Sequence, residues 1–184
     1  MLIREPQSDD LASPTTHMKK LILGEESLRR PFEILLVENS ATDVLLATEA
    51  LDTAPTRSHL YVVSDGVEAT AFLNRHGPYE EVPRPDLIFL DLNLPKKDGR
   101  EVLSEIKTNP LLMEIPVVVL TTSKAENDIR TSYTHHANCY ITKPVDFKQF
   151  ARIMREVVSF WFGVVVLPPS PQPFSAESMV RLLG

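Results

Sequence analysis

Five short apolar runs punctuate the middle of the chain, and polar stretches with helical spacing lie between them. The runs are EILLV (33–37), HLYVV (59–63), DLIFLDL (86–92), PVVVLTT (116–122) and CYIT (139–142). Near-continuous apolar composition, rather than alternation, suits a parallel strand covered by helices on both faces. The stretches between and after them, 41–52, 65–76, 98–108, 124–136 and 146–162, predict helices. In the last of these, Phe147, Phe150, Met154, Val157 and Trp161 recur at three- or four-residue steps and so share one face. Strand then helix, repeated five times, predicts an α/β fold: a doubly wound parallel sheet with right-handed crossovers.

The flanks break this rhythm. Residues 1–30 open with REPQSDDLASPTTH, rich in turn formers and poor in apolar residues, and predict a flexible extension. Residues 31–167 hold the repeating pattern, and 168–184 begin with the stiff, proline-rich PPSPQP. That tail is too short for a helix-turn-helix unit, so output is expected through protein contacts. The 184 residues carry a formal net charge of −6, with both signs interspersed, which disfavours nucleic acid as a partner. A lone Cys139 excludes an intrachain disulfide and fits a reducing compartment. No apolar run is long enough to span a bilayer and no secretory signal is visible, so a cytoplasmic location is expected.

In an open parallel sheet, ligands bind beyond the carboxyl ends of the strands. Those ends carry Glu38 and Asn39, then Asp91, then Thr121 and Thr122, and finally Lys143 followed by Pro144. Each can serve phosphoryl transfer. An ionised carboxylate at the end of a buried strand is costly unless it is paired or metal-bound. The alternative for Asp91, a helix cap, falls better to Asp98, just before GREVL.

Three motifs carry a resemblance. DLIFLDLNLPKKDG places a proline four residues and a glycine eight residues after Asp91; VVVLTTS supplies a fourth-strand hydroxyl; CYITKPVD supplies an aromatic and a Lys-Pro pair. The segment 33–162 resembles a response-regulator receiver domain of two-component signalling. TTSKAEND, ITKPVDF and FWFGVVVLP are further similar to the stand-alone regulators that serve cyanobacterial and bacterial phytochromes. The resemblance implies a flavodoxin-like five-stranded parallel sheet of order 2-1-3-4-5. It implies that Asp91 accepts a phosphoryl group from a sensor histidine kinase, with a phytochrome as the expected kinase. Thr121 and Lys143 would assist, Thr121 and Tyr140 would form the conformational switch, and Glu38, Asn39, Asp91 and the Asn93 carbonyl would hold Mg²⁺. Binding is expected to be weak, because Asn39 stands where the family carries an acid. The resemblance also implies a cis Lys143–Pro144 bond, and self-catalysed phosphotransfer and dephosphorylation rather than enzyme turnover. The apolar residues past the end of the last helix, in FWFGVVVLP, predict a homodimer through the 124–167 face.

Rival readings fare worse. A haloacid-dehalogenase-type phosphatase needs a second acid two residues after its nucleophile, and Asn93 occupies that position. A flavin-binding protein needs a glycine- and hydroxyl-rich phosphate loop after the first strand, and VENSATD offers none. A pseudo-receiver, an interaction module with impaired Mg²⁺-dependent phosphorylation, is supported by Asn39 alone. Among the lesser features, Pro95 and Gly99 read as structural, and Tyr61, Asp65 and Gly66 as a loop. His135 and His136 read as closing the fourth helix. Thr122 reads either as a restriction on access to Asp91 or as a core threonine, and Trp161 and Phe162 either as closing the core or, the reading favoured, as an exposed association patch.

Overall fold

The computed structural model describes residues 30–168, so the expectations for the N-terminal extension up to residue 29 and for the tail from residue 169 lie outside the described residues. Five strands form one parallel sheet: β1 (Phe32–Val37), β2 (Ser58–Val63), β3 (Leu87–Leu90), β4 (Val117–Thr121) and β5 (Cys139–Thr142). Their spatial order is β2-β1-β3-β4-β5, as expected. Helices follow the strands as α1 (Ala41–Asp52), α2 (Gly66–Leu73), α3 (Gly99–Thr108), α4 (Glu126–Thr134) and α5 (Phe147–Gly163).

Alternation along each strand splits the apolar residues between two layers. Ile34, Leu36, Leu87, Phe89, Val118 and Leu120 face α1 and α5, meeting Ala47, Leu51, Phe150, Met154 and Val158. Leu35, Val37, Ile88, Leu90, Val117 and Val119 face the other way, onto Ala69 and Phe72 of α2 and Val102, Leu103 and Ile106 of α3. The central strand β3 is buried on both faces, which is why it reads as LIFL without a polar break. It is shorter than the run 86–92 because Asp86 turns its carboxylate to the Glu33 N–H, and Asp91 already belongs to the loop.

Ser40, Asp65, Asp98 and Asp146 cap α1, α2, α3 and α5, each accepting a backbone N–H of the first turn. This satisfies donors that have no partner within the helix. The exception is α4. Its cap is Ala125, which makes no side-chain hydrogen bond, and the one residue it buries is Ser132. His135 and His136 do close this helix, His136 with a φ of +60°.

Of the two readings for Phe162, the structure supports closure of the core over the favoured association patch. Phe162 is buried and stacks on Phe32, with ring centroids 4.0 Å apart, while Trp161 packs half-buried against the same core layer. The first residue of β1 and the last turn of α5 thus cover one another, a pairing across 130 positions that no local pattern reveals.

Candidate functional site

Strand register assembles the site. Val37 pairs with Leu90 and Thr121 with Thr142, so the residues that follow them, Glu38, Asp91 and Lys143, come to one end of the sheet. Backbone bonds continue the ladder one step: the N–H groups of Glu38, Asp91 and Lys143 donate to the carbonyls of Val63, Val37 and Thr121 at 3.0, 3.1 and 2.8 Å. The site lies where β1 has β2 on one side and β3 on the other, the point at which strand order reverses.

At its centre is the Lys143 ammonium. It contacts Glu38, lies 2.6 Å from Asp91 Oδ2 and lies 2.9 Å from Asp43 Oδ2. Lys143, Glu38 and Asp91 are nearly inaccessible, with side chains 4%, 2% and 7% exposed, whereas Asp43 is 25% exposed and marks the solvent side. The Ser40 N–H fixes Glu38 by donating to Oε1 at 2.9 Å, and the Asn93 N–H fixes Asp91 by donating to Oδ1 at 3.0 Å. The Asn93 amide also donates to the Thr121 hydroxyl at 3.4 Å. Asn39 is exposed at the rim. Gly99 makes the arrangement possible. A Cβ there would fall 2.1 Å from the Asp91 carbonyl oxygen, so only glycine lets α3 start this close to the acceptor loop. Gly66 does the same for α2, beneath the Lys97 carbonyl at 2.3 Å.

Residues 34–155 match the response regulator receiver domain. The chain belongs to that family. It is 53% identical over 138 residues to response regulator Rcp1 of Synechocystis sp. (strain ATCC 27184 / PCC 6803 / Kazusa), covering 75% of this chain and 94% of that one. Its fold superimposes on the phosphorylated cyanobacterial phytochrome response regulator RcpA with a TM-score of 0.74 at 48% identity, covering 76% of this chain and all of RcpA. The Mn²⁺-bound form of Rcp1 gives 0.73 at 52% identity, with the same coverage. Receiver domains are signalling proteins rather than classical enzymes, and they imply a histidine kinase as partner.

In this receiver domain the charges of the site are mutually dependent. Burial alone would lower the pKa of Lys143, but hydrogen bonds from its ammonium to Asp91 and Glu38 outweigh burial and hold it above the ordinary lysine range. Glu38 moves upward as well, because burial, aided by the nearby Asp91 charge, outweighs the Lys143 and Ser40 contacts that lower it. Three carboxylates, on Glu38, Asp43 and Asp91, thus surround a single ammonium. Glu38 and Asp91 oxygens converge on one ammonium, as they would on a hard cation. Among the described residues no three carboxylate, imidazole or thiol side chains are arranged to hold a metal by themselves. An ion here would thus keep several waters, the way Mg²⁺ prefers to bind.

Not every expectation survives. Among the described residues no peptide bond is cis, so Lys143–Pro144 is trans, the isomer that X-Pro bonds favour by about 0.5–1 kcal/mol, and Lys143 still reaches Asp91. Thr122 is exposed and not a core threonine. Asp65 is more than a loop feature: nearly buried, it caps α2 and binds Lys96 at 2.5 Å, fastening the loop after Asp91 to the neighbouring helix. Tyr140 is half-buried and donates to the Ser123 carbonyl at 3.0 Å. Asp43 escaped the sequence reading altogether. The signal was its place in the first turn of α1, where side chains lean back over the strand end. A groove of about 240 Å³ between α2 and α3, lined by Leu73, Glu105, Ile106 and Leu112, lies toward the other ends of these helices and contributes nothing to the site. Among the described residues no helix is long and apolar enough to cross a membrane.

Proposed function

We propose that residues 31–167 form a phosphoacceptor module that takes a phosphoryl group from a sensor histidine kinase onto Asp91. The observation that carries this reading is the Lys143 ammonium 2.6 Å from Asp91 Oδ2 at the carboxyl end of the sheet. A carboxylate oxygen of Asp91 attacks the phosphorus of a phosphohistidine. A P–O bond forms, the P–N bond breaks, and the imidazole leaves with its electron pair. Lys143 and the Thr121 hydroxyl donate to the equatorial oxygens, and positioning with charge neutralisation carries most of the catalysis. Glu38, Asp91, the Asn39 side-chain oxygen and the Asn93 carbonyl would hold Mg²⁺, which supplies further neutralisation when bound. Asn39 contributes a neutral donor where an acid would add charge, so the ion is held weakly. After transfer, Thr121 shifts toward the phosphoryl group and Tyr140 follows, altering the α4–β5–α5 face.

A phytochrome is the proposed kinase, supported by 53% identity to Rcp1 and by the likeness to a phytochrome response regulator. Incubation with a phosphohistidine donor and Mg²⁺ should give a base-labile label that Asp91→Asn abolishes. Label persisting in that variant moves the acceptor elsewhere. The pseudo-receiver reading rests on Asn39, and an unlabelled wild type at saturating Mg²⁺ would favour it.

A further inference from the structure

Three carboxylates surround Lys143, yet only two of them, on Glu38 and Asp91, belong to the set that would hold a divalent ion. An ammonium and a divalent cation compete for those same oxygens. When the ion takes Glu38 and Asp91, the buried lysine keeps one anionic partner, Asp43 at 2.9 Å. We propose that Asp43 is a positioning residue that holds the Lys143 ammonium in the pocket once a divalent cation has displaced it from Glu38 and Asp91. The inference rests on the reading of Asp91 as phosphoacceptor and names a further residue of that site.

Geometry suits the task. Ser40 caps α1 and accepts the Asp43 N–H at 3.3 Å, so the first turn is built and Asp43 is fixed on it. Asp43 is the most exposed of the three carboxylates and lies on the solvent side of the ammonium, while Glu38 and Asp91 are buried. A lysine anchored there keeps its remaining N–H groups free for an incoming phosphoryl oxygen. It also stays desolvated while the metal is bound. A carboxylate in the first helical turn has a plainer role, complementing the positive helix end. That role would influence stability and leave Lys143 untouched.

The two roles separate by NMR of the lysine Nζ groups in ¹⁵N-labelled protein. Wild type should show a slowly exchanging Lys143 ammonium both without Mg²⁺ and at saturating Mg²⁺. In Asp43→Asn the signal should remain without Mg²⁺, which also reports folding, and vanish into fast exchange when Mg²⁺ saturates. Asp43→Ser, which removes the charge but keeps a residue suited to a helix start, repeats the test should the first variant not fold. With phosphoramidate and saturating Mg²⁺, labelling should slow about tenfold in Asp43→Asn. In a Lys143→Gln background the same substitution should change nothing further, because the two residues act as a unit. A protected Lys143 signal in Asp43→Asn at saturating Mg²⁺ overturns the proposal, as do independent, multiplying effects on rate. If wild type takes no label while the signal behaves as described, the phosphoacceptor reading fails and the holding role of Asp43 stands.

Discussion

Lys107 shows how much one side chain can depend on its surroundings. It occupies the last turn of an amphipathic helix, a place that reads as solvent, yet it is buried. Its ammonium donates to the carbonyls of Met113 and Ile115 at 3.1 and 2.8 Å and to Asn138 Oδ1 at 3.0 Å. All three acceptors are neutral. Burial accordingly pulls its pKa from the ordinary 10.5 down to about 8. Between those values the unfolded chain binds a proton that the folded chain has lost, so stability should climb as pH rises from about 8 to about 10.5. The three acceptors favour the charged form and limit the gain to about 1–3 kcal/mol. Lys107→Met leaves those acceptors without a donor and should cost about 1–3 kcal/mol at neutral pH. Urea titrations of both proteins at pH 7 and pH 10 should show the penalty widening with pH. A constant penalty would mean that Lys107 does not titrate in this range. None of this was legible from the residue itself, because its acceptors lie on the loop beyond α3 and next to β5. Asp43 was hidden for the same reason: a carboxylate in a first turn looks like a helix charge until Lys143, 100 positions on, arrives beside it.

The strands and helices were legible throughout residues 32–163, since runs such as LIFL and VVVLT have no stable place except a doubly covered strand. What the pattern did not contain is how the elements are tied together. Arg100, the second residue of α3, donates through Nε to Asp128 of α4 at 3.0 Å and also grips Asp98. Its hydrogen bond to Asp128 holds the guanidinium above its usual pKa range, and the hydrogen bond from Arg100 holds Asp128 below the usual carboxylate range. Asp128 also accepts from the Ser123 hydroxyl at 2.5 Å, and the Ser123 carbonyl accepts from Tyr140. The loop between Thr121 and α4 is therefore strung between the start of α3 and Tyr140. Arg100→Ala should destabilise the fold by about 1–2 kcal/mol, given a half-exposed but bidentate pair. It should also speed amide exchange at 122–126 more than elsewhere. Uniform acceleration across the sheet would show that the contact supports only global stability.

At the scale of the whole molecule, six of the exposed large apolar side chains among the described residues, Tyr133, Val145, Phe147, Phe160, Val164 and Val166, fall within residues 133–166, while Leu45, Val62, Val67, Leu111 and Met113 are exposed elsewhere. With Phe162 turned inward, those six are what remains for the expected homodimer through the 124–167 face. A stable interface should bury about 1,000 Å² or more in total. Light scattering at high concentration should find a dimer, and Phe160→Glu should dissociate it; a monomer with and without phosphate would remove the idea. The same region contains the weakly rooted α4, with an uncapped start and Ser132 as its one buried side chain. Each of α1, α2, α3 and α5 is fastened to a core layer by several apolar residues. Opening such a helix exposes little apolar surface, so its local unfolding free energy lies far below that of the sheet. In native-state hydrogen exchange the α4 amides should thus lose protection before those of α1, α2, α3 and α5. On the proposed reading, a phosphoryl group on Asp91 would need to supply only a small bias to shift so weakly rooted a helix, and a partner that grips α4 would bias acceptance of the phosphoryl group in return.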